Sequence, residues 1–139
     1  MISTIGKTKE EVVSEMFQQL VMQGKQCVDI VHACRYGNDD GDHCAVGFLL
    51  DEEDEGLMES GMSADDLIDS EYGALGENDN FMQENKLLLC QCQEIHDAIT
   101  VRKLIDSMAG LTNYLDSIPP WVCNWVTLHV EQMSISHEI

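Results

Sequence analysis

Residues 27–50 read CVDIVHACRYGNDDGDHCAVGFLL. Two short β-prone runs, CVDIVHACRYG and CAVGFLL, flank Asn38-Asp39-Asp40-Gly41-Asp42, whose Asn, Asp and Gly suit a turn. The pattern predicts a β-hairpin centred near Asp40. Gly37 and Gly41 allow the positive backbone angles of a tight turn, and Gly47 permits close backbone approach where the second strand leaves the sheet. Cys34 and Cys44 then become small apolar residues facing the rest of the core.

Outward from this stretch the spacing turns helical. Thr8 with Glu11 forms a capping-box pair, and Val13, Phe17, Leu20, Val21 and Gly24 share one face, so a helix is expected over about 9 to 23 and closed by Gly24. On the other side, 51–80 is rich in Gly, Asp, Glu and Ser; it reads as an acidic loop-rich segment with a short helix through Ile68 and Asp69, capped by Ser63 with Asp66. Phe81, Leu88, Cys92, Ile95 and Ile99 recur in steps that fit one amphipathic helix from about 80 to 99. A further helix is expected from Val101 to Tyr114. Pro120 is then placed for the first turn of a last helix carrying Trp121, Val122, Trp125, Val126, His129 and Met133. The expected fold is α+β and helix-rich overall: a small hairpin or sheet packed against three to four helices, in a single domain over 1–139.

The chain has 139 residues, 44% of them hydrophobic, with 26 Asp and Glu against 7 Lys and Arg and a formal net charge of −19. That composition supports a folded core. The charge is a block: from Tyr36 to Asn85 there are sixteen acids and no Lys or Arg. Such a field excludes direct binding to nucleic acid or to an anionic membrane through a basic surface. No apolar run approaches the ~20 residues of a membrane span, and MISTIGKTKEEVV has no secretion-signal core, so a soluble intracellular chain is expected.

Six cysteines stand at 27, 34, 44, 90, 92 and 123. Without a secretion signal, reduced core thiols are the default. A zinc site needs four converging ligands; Cys34 and Cys44 with Cys92 and His96 are the available set, and Cys90 does not share a helix face with Cys92. Asp51-x-Glu53-x-Glu55-Gly56 resembles the start of a calcium loop, but Met62 stands where the bidentate Glu belongs. No metal and no cofactor is expected. His96-Asp97 offers an acid–base pair and Cys92 a nucleophile beside it, against the plainer reading of a hydrogen-bonded core histidine. No glycine-rich phosphate loop with a lysine is present.

Cys34-Arg35-Tyr36-Gly37, Asp40-Gly41 and Cys44-Ala45-Val46-Gly47-Phe48-Leu49, followed by Asp51-Glu52, Met58-Glu59-Ser60-Gly61 and Gln93-Glu94-Ile95-His96-Asp97, resemble a family of short proteins of tailed bacteriophages. The resemblance covers about half the chain. That family has no established activity, so the resemblance implies a phage origin and a host cytoplasm as the place of action. The chain departs from it by lacking a proline before the Asp-Glu step and by carrying many extra acids there.

The functional expectation is a non-catalytic acidic phage protein that binds and inhibits a host nucleic-acid-interacting protein, as a nucleic-acid mimic. Its contact residues are Asp39, Asp40, Asp42, Asp51, Glu52, Glu53, Asp54, Glu55 and Glu59, presented to a basic surface. The physical motive is that duplex DNA carries one negative charge per ~1.7 Å of axis, a density that crowded carboxylates approximate. The plainer reading is a solvated acidic surface that maintains solubility. Two alternatives stand beside it: a small enzyme or ligand-binding protein with a site around the hairpin and His96, and an acidic assembly factor. The sequence also leaves room for a homodimer.

Overall fold

The computed structural model describes residues 2–27, 37, 41–50, 64–69 and 76–137. Among the described residues there are six α-helices: α1 (Lys9–Gln23), α2 (Ala64–Ile68), α3 (Asp79–Glu84), α4 (Lys86–Asp97), α5 (Val101–Leu111) and α6 (Pro120–His137). Two 3-10 turns, Val46–Leu49 and Gly76–Asn78, complete the regular elements.

The ends of α1 follow from local chemistry. Glu11 N–H donates to Thr8 Oγ1 at 3.1 Å and Thr8 N–H donates to Glu11 Oε1 at 3.2 Å, so two orphan donors are satisfied reciprocally. Gly24 closes the helix with φ +82°, and its N–H reaches Leu20 O at 2.9 Å. Val12, Val13, Met16, Phe17 and Leu20 form the buried face, which packs against α6. α4 lies against α5 and α2. One apolar cluster takes side chains from α1, the Val46–Leu49 turn and all five other helices.

The α+β expectation is overturned: among the described residues there is no strand and no sheet. A single antiparallel bridge, Gly37 with His43, stands where the hairpin was expected. Gly41 does adopt the positive φ that its place in the turn suggested, +82°. The run CAVGFLL instead curls into the Val46–Leu49 turn, and its hydrogen bonds show why. Phe48 N–H donates back to Cys44 O, and Leu50 N–H to Gly47 O. Gly47 N–H donates to Cys44 Sγ at 3.2 Å and Val46 N–H to Gln93 Oε1 at 3.2 Å. The Gln23 side-chain amide accepts from His43 N–H and donates to His43 O. Backbone groups that a sister strand would have paired are thus satisfied by local turns and by amides from α1 and α4. Cys44, Ala45, Val46 and Gly47 are all buried in succession, and a continuous apolar run does not distinguish a buried strand from a buried turn. Of the first expected strand, CVDIVHACRYG over 27–37, all but Cys27 and Gly37 lies outside the described residues.

The helix expected over 80–99 is two helices. Asn85 breaks it at φ −118°, ψ 28°, with its side-chain amide donating to Phe81 O at 3.0 Å, a local bond that competes with helix propagation. α4 ends at Asp97 and Ala98 turns extended, which leaves Ile99 77% exposed instead of on the buried stripe. Thr100 caps α5 through Lys103 N–H, and Pro120 opens α6 in the position expected for it.

An arm before α1 is tied to the middle of the chain by Asn78, which is fully buried. Its Oδ1 accepts from Thr4 N–H and Thr4 Oγ1, both at 2.9 Å. Its Nδ2 donates to Ile2 O at 2.8 Å and Leu49 O at 2.9 Å. Every hydrogen-bonding capacity of that amide is used.

Candidate functional site

Of the nine carboxylates read as partner contacts, Asp39, Asp40, Asp51, Glu52, Glu53, Asp54, Glu55 and Glu59 lie outside the described residues. Asp42 is described, and it is engaged within the chain. Its carboxylate pairs with Lys25 Nζ at 3.2 Å and its carbonyl accepts from Cys27 Sγ at 3.3 Å. Further acids of the same block are described. Asp65, Asp66 and Asp69 are exposed on α2 and just beyond its end, and Glu77 and Glu84 are exposed around α3. Lys86, at the start of α4, bridges Asp65 at 3.2 Å and Asp69 at 3.0 Å, and those two carboxylates raise its ammonium above the ordinary lysine value. These charges are therefore held on helical backbone at the edge of the core.

The alternative site is a buried polar chain. His96 is fully buried, and its Nε2 accepts from Cys27 N–H at 3.0 Å. A backbone N–H can only donate, so the ring proton sits on Nδ1, which donates to Asp97 Oδ1 at 2.5 Å. Gln93 Nε2 donates to the same oxygen at 3.0 Å, while Gln93 Oε1 accepts from Val46 N–H. One continuous chain thus runs Cys27, His96, Asp97, Gln93, Val46, and it pins two distant backbone points, Cys27 and Val46, to α4. Cys44 lies beside Gln93.

Trp125 and His129, one turn apart on α6, extend the cluster. Both imidazoles run nearly parallel to the indole, with centroids 5.9 Å away for His96 and 5.3 Å for His129. His129 Nε2 donates to Ala98 O at 2.6 Å, and burial pulls its pKa below the ordinary histidine value. Two buried polar atoms here have no hydrogen-bond partner among the described residues: His129 Nδ1 and Trp125 Nε1. Gln26 completes the layer by donating to His96 O at 2.7 Å.

This arrangement is poor for nucleophilic chemistry. Cys44 and Cys92 are fully buried; burial raises the Cys44 thiol well above its ordinary value and pushes Cys92 up to about 12. Both nitrogens of His96 are occupied, so neither is left to take a proton from Cys92, one turn earlier on the same face. The His96–Asp97 pair is formed as the sequence suggested, but it serves to fix backbone. Among the described residues no three His, Cys, Asp or Glu side chains gather to hold a metal ion; Cys34 and the calcium-like stretch 51–62 lie outside them. An open groove of about 430 Å³, lined by Lys9, Asn85, Lys86 and Tyr114 among others, holds neither Cys nor His.

The sequence reading missed Gln26, Cys27, Trp125 and His129 as members of one cluster. Trp125 and His129 at an i, i+4 step were visible as a shared helix face, and Gln93, His96 and Asp97 as another. Nothing in the spacing says that the two faces meet. No helix among the described residues is long and apolar enough to cross a membrane. Compared with known protein families, with curated proteins and with solved structures, the chain matches none.

Proposed function

We propose that this chain is a non-catalytic acidic phage protein that binds and inhibits a host protein through that protein's basic, nucleic-acid-binding surface, in the host cytoplasm. The observation that carries the reading is the charge block, sixteen acids without one Lys or Arg between Tyr36 and Asn85. Two features support it. The described part of the block presents exposed carboxylates on or beside short helices, two of them, Asp65 and Asp69, sharing Lys86. The residues that an enzymatic reading would use, Cys44, Cys92 and His96, are buried and committed to the core.

The test uses the immobilised full-length chain and host lysate. Captured protein should be retained at low salt and released both by high salt and by added duplex DNA, because surface charge pairing is screened over ~8 Å at physiological ionic strength. The variant with Asp51, Glu52, Glu53, Asp54 and Glu55 replaced by Asn and Gln should keep its circular dichroism and capture the same protein with a slower on-rate. Equal capture by that variant, insensitive to salt and to DNA, would overturn the proposal and leave the block as a solubilising surface.

A further inference from the structure

The outer face of α5 gathers exposed apolar side chains. Val101 and Ile105 lie one turn apart and Ile99 just precedes the helix; they are 45%, 62% and 77% exposed. Leu104, Ser107 and Leu111 face the core from the other side of the same helix. Half-buried Met108 extends the exposed stripe by a further turn. The other large exposed apolar residues among those described, Ile5, Met22 and Leu87, sit apart from one another, as isolated surface residues commonly do. Along one edge of the α5 stripe run Arg102 and Asp106, both exposed and neither in an ion pair among the described residues.

We propose that this face is a homodimer contact, with α5 packed antiparallel on α5 of a second copy about a two-fold axis near Ile105. The occupant follows from the charge pattern. A two-fold of this kind places each flank of the helix opposite the same flank of its mate and reverses the direction of the chain. Arg102 of one copy then faces Asp106 of the other, and the pair occurs twice. Ile105 meets its own symmetry mate, and Val101 meets Met108. Self-complementarity under a two-fold is what an isologous contact requires, and an unrelated partner imposes no such relation between Arg102 and Asp106.

Two physical consequences make the proposal specific. α5 has eleven residues and spans only about 16 Å, so the contact is at the small end of interfaces and the dimer is weak. Each copy also carries −19, so the copies repel and added salt favours the dimer. Capture of a basic partner through the acidic block has the opposite salt dependence, so the two proposals can fail separately.

The experiment is sedimentation equilibrium of the full chain, up to about 1 mM, at low and at high sodium chloride. The weight-average mass should rise from 15.6 kDa towards twice that value with concentration, and more steeply at high salt. Ile105→Asp should weaken association by roughly tenfold or more while leaving the helical circular dichroism intact, since the side chain is exposed. Asp106→Arg should weaken it by opposing two arginines, and adding Arg102→Asp should restore it by reversing both pairs. A mass of one chain under every condition, association unchanged by Ile105→Asp, or an Asp106→Arg defect that the second change does not rescue would each overturn the proposal.

Discussion

Two buried polar nodes join distant parts of this chain, and they are completed to different degrees. At Asn78 one amide makes four hydrogen bonds, to Thr4 twice, Ile2 and Leu49, and no capacity is left over. At Trp125 and His129 the rings stack well, yet the indole N–H and His129 Nδ1 have no partner among the described residues. Burying a polar group is tolerated when it is paired and penalised when it is not. The first node is therefore a fastening whose removal exposes other groups to the same penalty, and the second holds a penalty already present in the native state.

The sharpest way to break this contrast is Asn78→Ala, which should have the largest effect. It leaves Thr4 N–H and Leu49 O buried without partners, and chemical denaturation should show a loss of about 3–5 kcal/mol. A loss under about 1 kcal/mol would mean that water or local relaxation satisfies those groups. An intermediate effect belongs to pH. Burial lowers the His129 pKa, so between the ordinary histidine value of ~6.5 and its own lower value the unfolded chain binds a proton that the fold refuses. Stability should therefore be full above about pH 6.5 and fall as the solution is acidified through that window. His129→Gln, whose amide nitrogen can still donate to Ala98 O, should flatten that part of the Tm–pH curve. The smallest effect should come from Trp125→Phe. The lost ring volume costs about 1 kcal/mol, and removing an unsatisfied buried donor offsets about as much. Equilibrium unfolding should put this variant within about 1 kcal/mol of the parent, although Trp125 is fully buried.

What was legible in the sequence was what short-range chemistry controls. Thr8, Glu11 and Gly24 mark α1 through bonds spanning three or four residues, and Pro120 marks α6 through its fixed φ. Neither required knowledge of the rest of the fold. The hairpin misled because β-prone runs on either side of a Gly-Asp turn carry no record of Gln23 and Gln93, whose amides occupy the backbone groups of His43 and Val46. Asn78 and its neighbours Asp79 and Glu77 read as one more part of an acidic stretch, since a buried amide and a solvated one have the same letter. The acidic residues from Asp51 to Glu59 were legible as charge, and their arrangement lies outside the described residues. His96 was recognised as a residue of interest for its acid–base potential, and its place in the fold gives it to the backbone of Cys27 instead.

The arm at Ile2–Thr4 has a bearing on how the chain reaches this state. Its fastening, Asn78, lies 74 residues further along from Thr4, whereas α4 and α5 are consecutive and pack directly on one another. Contacts close in sequence form at small loop-closure entropy, and contacts that enclose many residues form late. During synthesis the arm leaves the ribosome long before Asn78 exists to receive it. Until then Thr4 N–H is bonded to water, and the arm, like the face of α1 that waits for α6, is locked long after it has been made.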